Sequence, residues 1–334
     1  MLPGMRMPAR ISILLLSALV LIGGPALSAD RKDVDVCRTS SNPDRRLESC
    51  TRVANDSGLP AEVRSLALQS RGLTRQDKGD VNGAKADFDE AIRIDPRAAN
   101  AYMYRASLYR NASDHDHAIA DLNEAIRINP TMALFFYRRG MSWYAKQNYD
   151  RAIADFTEAI RRNPTYVDAW WNRGQANAFA TNKGRAIADY TEVIRLEPHA
   201  ARGYAARAQI YQSESEHDRA IADFSEFLRL DPKGFGGFMM RGNSYRDKGE
   251  LDLAIADYSE SIRLQPDFSF AYYERGVAYR IKGDREHAIA DFRAAVRFGR
   301  GTDGPSRAAL EGLGAGEPKA EPETPRRGVL DMLK

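Results

Sequence analysis

"AIADFTEAIRRNP" occupies Ala152–Pro164, and the chain repeats it with small changes: "AIADLNEAIRINP" from Ala118, "AIADYTEVIRLEP" from Ala186 and "AIADFSEFLRLDP" from Ala220. The closing prolines, Pro96, Pro130, Pro164, Pro198, Pro232 and Pro266, stand 34 residues apart. A fixed period of this size is the mark of a repeat architecture and takes precedence over any local reading.

Four further columns keep the same period. Alanine recurs at Ala84, Ala118, Ala152, Ala186, Ala220, Ala254 and Ala288. A large apolar residue follows four positions on, at Phe88, Leu122, Phe156, Tyr190, Phe224, Tyr258 and Phe292. Upstream lie Leu68, Tyr102, Phe136, Trp170, Tyr204, Phe238 and Tyr272, each followed after four residues by Gly or Ala: Gly72, Ala106, Gly140, Gly174, Ala208, Gly242 and Gly276. The register runs unbroken from Ser65 to Thr302, seven units of 34 residues.

Spacings of three and four put these residues on one face of a helix. Proline cannot continue the second helix, so it closes each unit. In the third unit the pattern predicts one helix over Leu134–Gln147 and another over Asp150–Arg162, with Asn148 as a helix-starting residue between them. Such a pair cannot bury its apolar face alone, and stacking supplies the core.

The order aromatic, Gly/Ala, Ala, aromatic, Pro resembles the tetratricopeptide repeat. The resemblance implies an all-α fold, a right-handed superhelical α-solenoid. The expected division is a signal peptide at 1–28 and an N-terminal cap with a degenerate half-repeat at 29–64. Seven repeats follow at 65–98, 99–132, 133–166, 167–200, 201–234, 235–268 and 269–302. A capping helix at 303–314 and a disordered Pro- and Gly-rich tail at 315–334 complete it. In the cap, "RRLESCTRVAN" (Arg45–Asn55) aligns with "RAIADFTEAIR" (Arg151–Arg161), whereas "DRKDVDVCRTSSNPD" is not helical by pattern. "VLDMLK" (Val329–Lys334) is a small amphipathic scrap that either docks or frays.

Two columns depart from the family's habit. An arginine precedes each Gly/Ala (Arg71, Arg105, Arg139, Arg173, Arg207, Arg241, Arg275), and an aspartate precedes each second aromatic (Asp87, Asp121, Asp155, Asp189, Asp223, Asp257, Asp291). A ladder of Arg–Asp pairs is expected, because the guanidinium fork holds a carboxylate with two bonds. Whether Arg173 faces Asp189 or Asp155 stays open, as does a role for the arginines in holding an acidic ligand. The arginines late in the second helices, such as Arg161 and Arg195, suit the negative helix end.

Arg6 and Arg10 precede an apolar run, Ile11–Ile22, and then "GGPALSAD", the order of a secretory signal. The run is well short of the ~20 residues that span a bilayer. An exported location, periplasmic or secreted, is expected, with cleavage after Ser28 or Ala29 and no stable membrane span afterwards; an uncleaved anchor is the alternative. The only cysteines are Cys37 and Cys50; an even count in an exported chain favours a disulfide, two unrelated thiols being the alternative. The net charge of +3 makes no basic face for nucleic acid.

Nothing in the sequence asks for catalysis, a cofactor or a metal. There is no phosphate-binding loop and no nucleophile elbow, and the five histidines are scattered. What remains is surface. The columns that line the concave face in the family fall here on Met103, Tyr137, Met141, Tyr144, Trp171 and Phe179, and later on Met239, Asn243, Arg246, Tyr273 and Arg280. Methionine and aromatic side chains suit adaptable binding of a protein or peptide. These columns contain no lysine, so the family's carboxylate clamp is not supported. The expected function is a scaffold for a partner segment; a self-associating solenoid is the alternative, and oligomeric state is undetermined. Trp170, one residue before Trp171, falls in the core column.

Overall fold

The structure, a computed structural model, describes residues 28–299 and 303–316, with the side chains of 28–30 left aside. Every regular element among the described residues is an α-helix. The signal segment lies outside them except for Ser28; so do residues 300–302 of the seventh repeat and the tail beyond 316.

The helices come in pairs: α1 (Ser28–Thr39) and α2 (Pro43–Asn55); α3 (Ala61–Asp77) and α4 (Val81–Ile94); α5 (Ala99–Asn111) and α6 (His115–Ile128); α7 (Ala133–Ala145) and α8 (Tyr149–Arg162); α9 (Val167–Phe179) and α10 (Lys183–Leu196); α11 (Ala201–Ser213) and α12 (His217–Leu230); α13 (Phe235–Lys248) and α14 (Leu251–Leu264); α15 (Ser269–Lys282) and α16 (Arg285–Phe298). A single short helix, α17 (Gly304–Gly312), follows. The chain forms two compact parts, residues up to Phe135 and from Phe136 onward. Within each, consecutive helices pack on one another.

Why the first helix of a pair carries Gly or Ala is visible in the contacts. A Cβ built on Gly174 would stand 2.7 Å from the Tyr190 ring, and one on Gly242 would stand 2.8 Å from Tyr258. The two backbones approach until the ring of one helix lies flat against the other. Ala84, Ala118, Ala152, Ala186, Ala220, Ala254 and Ala288 are all fully buried.

From α3 onward, the turn inside each pair is built one way, seven times. A residue at positive φ stands at Gly79, Ser113, Gln147, Thr181, Ser215, Gly249 and Gly283. The next N–H bonds back to the helix, as in Asp80 N to Arg75 O and Asn182 N to Asn177 O, at 2.9 and 2.8 Å. This is the Schellman closure. That next residue then opens the second helix, and Asp80, Asp114, Asn148 and Asp284 cap it with their side chains.

The N-terminal end corrects the sequence reading. Most of the segment whose pattern is not helical forms α1, which packs on α2. Its own pattern is weak, and partners supply the stability. The Cys37 and Cys50 sulfurs are bonded, and Val34 packs on a cluster that includes Val53, Leu59, Val63 and Leu68. Arg52 bridges to Asp33 at 2.7 Å. At the other end α17 packs on α16, with Ala309 and Leu310 joining Phe292 and Val296 in one cluster.

Candidate partner-binding surface

The seven arginines before the Gly/Ala column each meet the aspartate of their own pair, with closest N–O distances of 2.6–2.8 Å. The aspartates are buried. In the fourth repeat Arg173 spends Nε and Nη2 on Asp189, which settles its neighbour, and Nη1 donates to Thr157 Oγ1 of the preceding pair at 3.0 Å. Arg71, Arg105, Arg207, Arg241 and Arg275 reach back in the same way, to Thr51, Asp89, Thr191, Ser225 and Ser259. The hydroxyls can accept because they donate their own protons to helix carbonyls, as Thr157 does to Ile153 O at 2.7 Å. Each of these guanidiniums therefore ties one pair to the one before it. The hydroxyl column was visible in the sequence but went unread, because its chemistry appears only once Arg lies over it.

Burial lifts the Asp155 and Asp189 carboxyls above the usual carboxylate range; Arg139 and Arg173 pull the other way and do not fully compensate. Taking a charge pair out of water costs as much as the pair returns.

The second helices carry a uniform outer surface. Glu158–Arg161, Glu192–Arg195 and Glu260–Arg263 form exposed pairs three residues apart, as do their counterparts in α4, α6 and α12. Six of the late arginines are thus paired with glutamates; the seventh, Arg297, has Ala294 at that place.

The first helices differ from repeat to repeat. Met103 is not a surface residue: it is 4% exposed and belongs to the core cluster of α5 and α6. Its unbranched side chain reaches between helices, which a column assignment cannot foresee. The remaining predicted residues, Phe179 and Arg280 apart, are half-buried. Tyr137 leans on Phe156 and Tyr166 and accepts a bond from Asn172 at 3.2 Å. Met141 packs on the Ala152–Phe156–Ala176 cluster. Trp171 rests on Tyr190 with the Arg202 guanidinium 5.3 Å from its ring. Met239 packs on the Tyr258 cluster and Tyr273 on Phe292. Trp170 is half-buried rather than core, its Nε1 donating to Pro164 O at 2.8 Å.

Phe179 differs from these, at 62% exposed. It stacks on Tyr149 with centroids 5.4 Å apart and an interplanar angle of 10°, and Tyr144 meets both rings edge-on. Beside them lies a shallow, open and mostly polar cleft lined by Lys146, Gln147, Asn148, Tyr149, Asp150 and Ala180. In the sixth repeat the positions of Met141, Tyr144 and Phe179 carry Asn243, Arg246 and Asp247, whereas in the seventh Phe179's position carries Ile281. Arg246 pairs with Asp247 and with Glu274, and Tyr258 donates to Asn243 at 2.7 Å. Arg280 is exposed.

Sequence reasoning missed Tyr149 and seven exposed apolar residues, Leu66, Val81, Met132, Phe235, Leu253, Phe270 and Ile281. A signal was available for two of them: Ile281 stands three periods after Phe179, and Phe270 six periods after Leu66. Among the described residues no group of His, Cys, Asp or Glu could hold a metal ion, and no helix is long and apolar enough to cross a membrane.

Family profiles described as tetratricopeptide repeat match residues 70–133 and 179–235, 133–166, and 271–298, and one described as TPR repeat matches 242–283. A comparison of the sequence with curated proteins returned no match. Among solved structures, the C-terminal part of a TPR repeat-containing protein from Cytophaga hutchinsonii aligns over 72% of this chain and 98% of its own, at 19% identity and a TM-score of 0.63. A tetratricopeptide repeat protein from Parabacteroides merdae aligns over 75% and 96%, at 17% identity and 0.53. YrrB, described as a TPR protein with an unusual peptide-binding site, aligns over 55% and 95%, at 21% identity and 0.50.

Proposed function

The chain belongs to the tetratricopeptide-repeat family, a family of protein–protein interaction scaffolds, and we propose that it is exported and holds a segment of a partner protein on the first-helix face of its third and fourth repeats. The observation that carries this reading is the ring cluster of Tyr144, Tyr149 and Phe179. A phenylalanine left mostly in water, stacked on a tyrosine at the edge of a cleft, is an apolar anchor without a cover. Tyr137, Met141 and Trp171 extend the surface, which is mixed in character: tyrosine hydroxyls, Lys146 and Asp150 rim the apolar rings. An extended or helical segment with one aromatic or branched apolar side chain matches this chemistry. No residue is assigned a catalytic role.

Phe179→Ala is the decisive variant. The ring supports no buried cluster, so folding should survive. Loss of an anchor of this kind lowers affinity by about 2 kcal/mol, roughly 30-fold. Partners cross-linked to the wild-type chain in the periplasm are identified by mass spectrometry, then titrated against both proteins. Unchanged affinity with Phe179→Ala removes the cluster as the site. Export is supported by the order of charged, apolar and small residues before Ser28 and by the Cys37–Cys50 bond, which fits an oxidising compartment. An intact N-terminus on the cellular protein, in place of Ala29 or Asp30, would reject it.

A further inference from the structure

The last first-position helix, α15, carries an apolar stripe along its length. Phe270, Tyr273, Val277 and Ile281 follow at intervals of three, four and four and so share one face. Tyr273 and Val277 are partly covered through the Phe292 cluster. The two ends of the stripe are bare: Phe270 is 60% and Ile281 58% exposed. Earlier first helices have a successor at their side, since α11 touches α13 and α13 touches α15. The helix that follows α16 is only nine residues long and packs on α16.

The chain itself leads to this spot. Arg285, at the start of α16 and four residues after Ile281, donates to Leu313 O, and Arg293 reaches Gly316 O at 3.4 Å. Residues 317–328, "EPKAEPETPRRG", then separate Gly316 from "VLDMLK". Twelve residues of this Pro-rich kind span about 37 Å if extended and about 19 Å if flexible. The 14 residues of α15 measure about 21 Å. In Val329–Lys334 the apolar residues Val329, Leu330, Met332 and Leu333 fall on one side of a helical turn, with Asp331 and Lys334 between and after them. Six residues do not hold a helix in water unaided; order there needs a surface.

We infer that Val329–Lys334 docks in cis on the Ile281 end of the α15 stripe, the exposed apolar ground within reach of its tether. The short tether keeps the segment at millimolar effective concentration, so weak apolar contact is enough. The docked tail occupies the same face of the repeats, two repeats' length or more from Phe179 along the chain, and a partner segment running towards the seventh repeat must displace it.

Hydrogen–deuterium exchange on the full chain tests this. In the wild type, amides of 329–334 should exchange at least about 10-fold more slowly than in a free peptide of that sequence. Leu330→Asp with Leu333→Asp, and separately Ile281→Asp, should each return them to the free rate. Ile281 is exposed, so the second variant folds; Ile281→Ala provides a milder check with partial loss. Free-rate exchange in the wild type overturns the inference, as does protection that survives Ile281→Asp. Protection that grows with protein concentration assigns the contact to a second copy and overturns docking in cis. Phe179→Ala should leave the tail protected; if it releases the tail, the docking place is the third and fourth repeats and the α15 assignment fails. Failure of tail docking leaves the partner site on Phe179 untouched, because that is read from partner affinity.

Discussion

The third and fourth repeats (α7–α10) and the sixth and seventh (α13–α16) share one frame and present different faces. Phe156, Tyr190, Tyr258 and Phe292 occupy one buried position, each against a first-helix glycine. Arg139, Arg173, Arg241 and Arg275 make one bond pattern with their aspartates. Yet the earlier pair exposes stacked rings, and the later pair holds a half-buried Arg246–Glu274 ion pair and exposes Ile281. The turns differ too: Gln147 and Thr181 take positive φ, where Gly249 and Gly283 do so without strain. Positions that touch another helix at close range are held constant; those that touch solvent or a neighbour's side are free to vary and to acquire a partner.

If the frame is common, its removal must hurt both regions alike. Phe156→Ala and Phe292→Ala should each cost about 3–5 kcal/mol by opening a cavity. Thermal or denaturant unfolding of both proteins checks this, and a cost near zero at either site breaks the comparison. Smaller, and also equal in the two regions, should be the coupling across the ladder. Double-mutant cycles on Arg173→Ala with Asp189→Ala, and on Arg241→Ala with Asp257→Ala, should each give about 2 kcal/mol. Coupling in one region alone would mean that the ladder is local.

The turns should differ in sign. Thr181→Gly relieves a β-branched residue held at φ 61° and should stabilise by about 1 kcal/mol. Gly283→Thr should destabilise by a similar amount, since Gly283 sits at φ 82°. Equal signs would show that the surrounding structure, and not the backbone, sets the cost. The smallest effect is in pH. Burial raises the Asp189 carboxyl above its unfolded value, so the folded chain holds this proton to higher pH than the unfolded one. Its contribution therefore favours folding most below the ordinary aspartate range near 3.9 and is lost as pH rises through the folded value. The melting temperature of the wild type relative to Asp189→Asn should fall across that window; a rise would mean that Arg173 outweighs burial.

Several features of the molecule were legible in its sequence. The 34-residue period gave the helix pairs, their turns and the buried columns, because close packing of one ring on one glycine leaves no latitude in spacing. The ladder was legible as well, although the sequence could not choose between Asp189 and Asp155 for Arg173, nor see that a hydroxyl of the preceding pair takes the third bond. The binding face was legible only by column. Met103, Trp171 and Phe179 stand in related registers, yet one is buried, one half-covered and one exposed.

Repeat number, helix order, and the residues that must be small or large were set by the sequence alone, since each follows from contacts at fixed separation along the chain. Tertiary structure decided the rest: that α1 is a helix at all, that Met103 turns inward, that Phe179 stacks on Tyr149 in water, and that α15 ends in a bare stripe. Each of these depends on what lies beside a residue and not before or after it, and side-by-side neighbours are fixed only when the chain has folded.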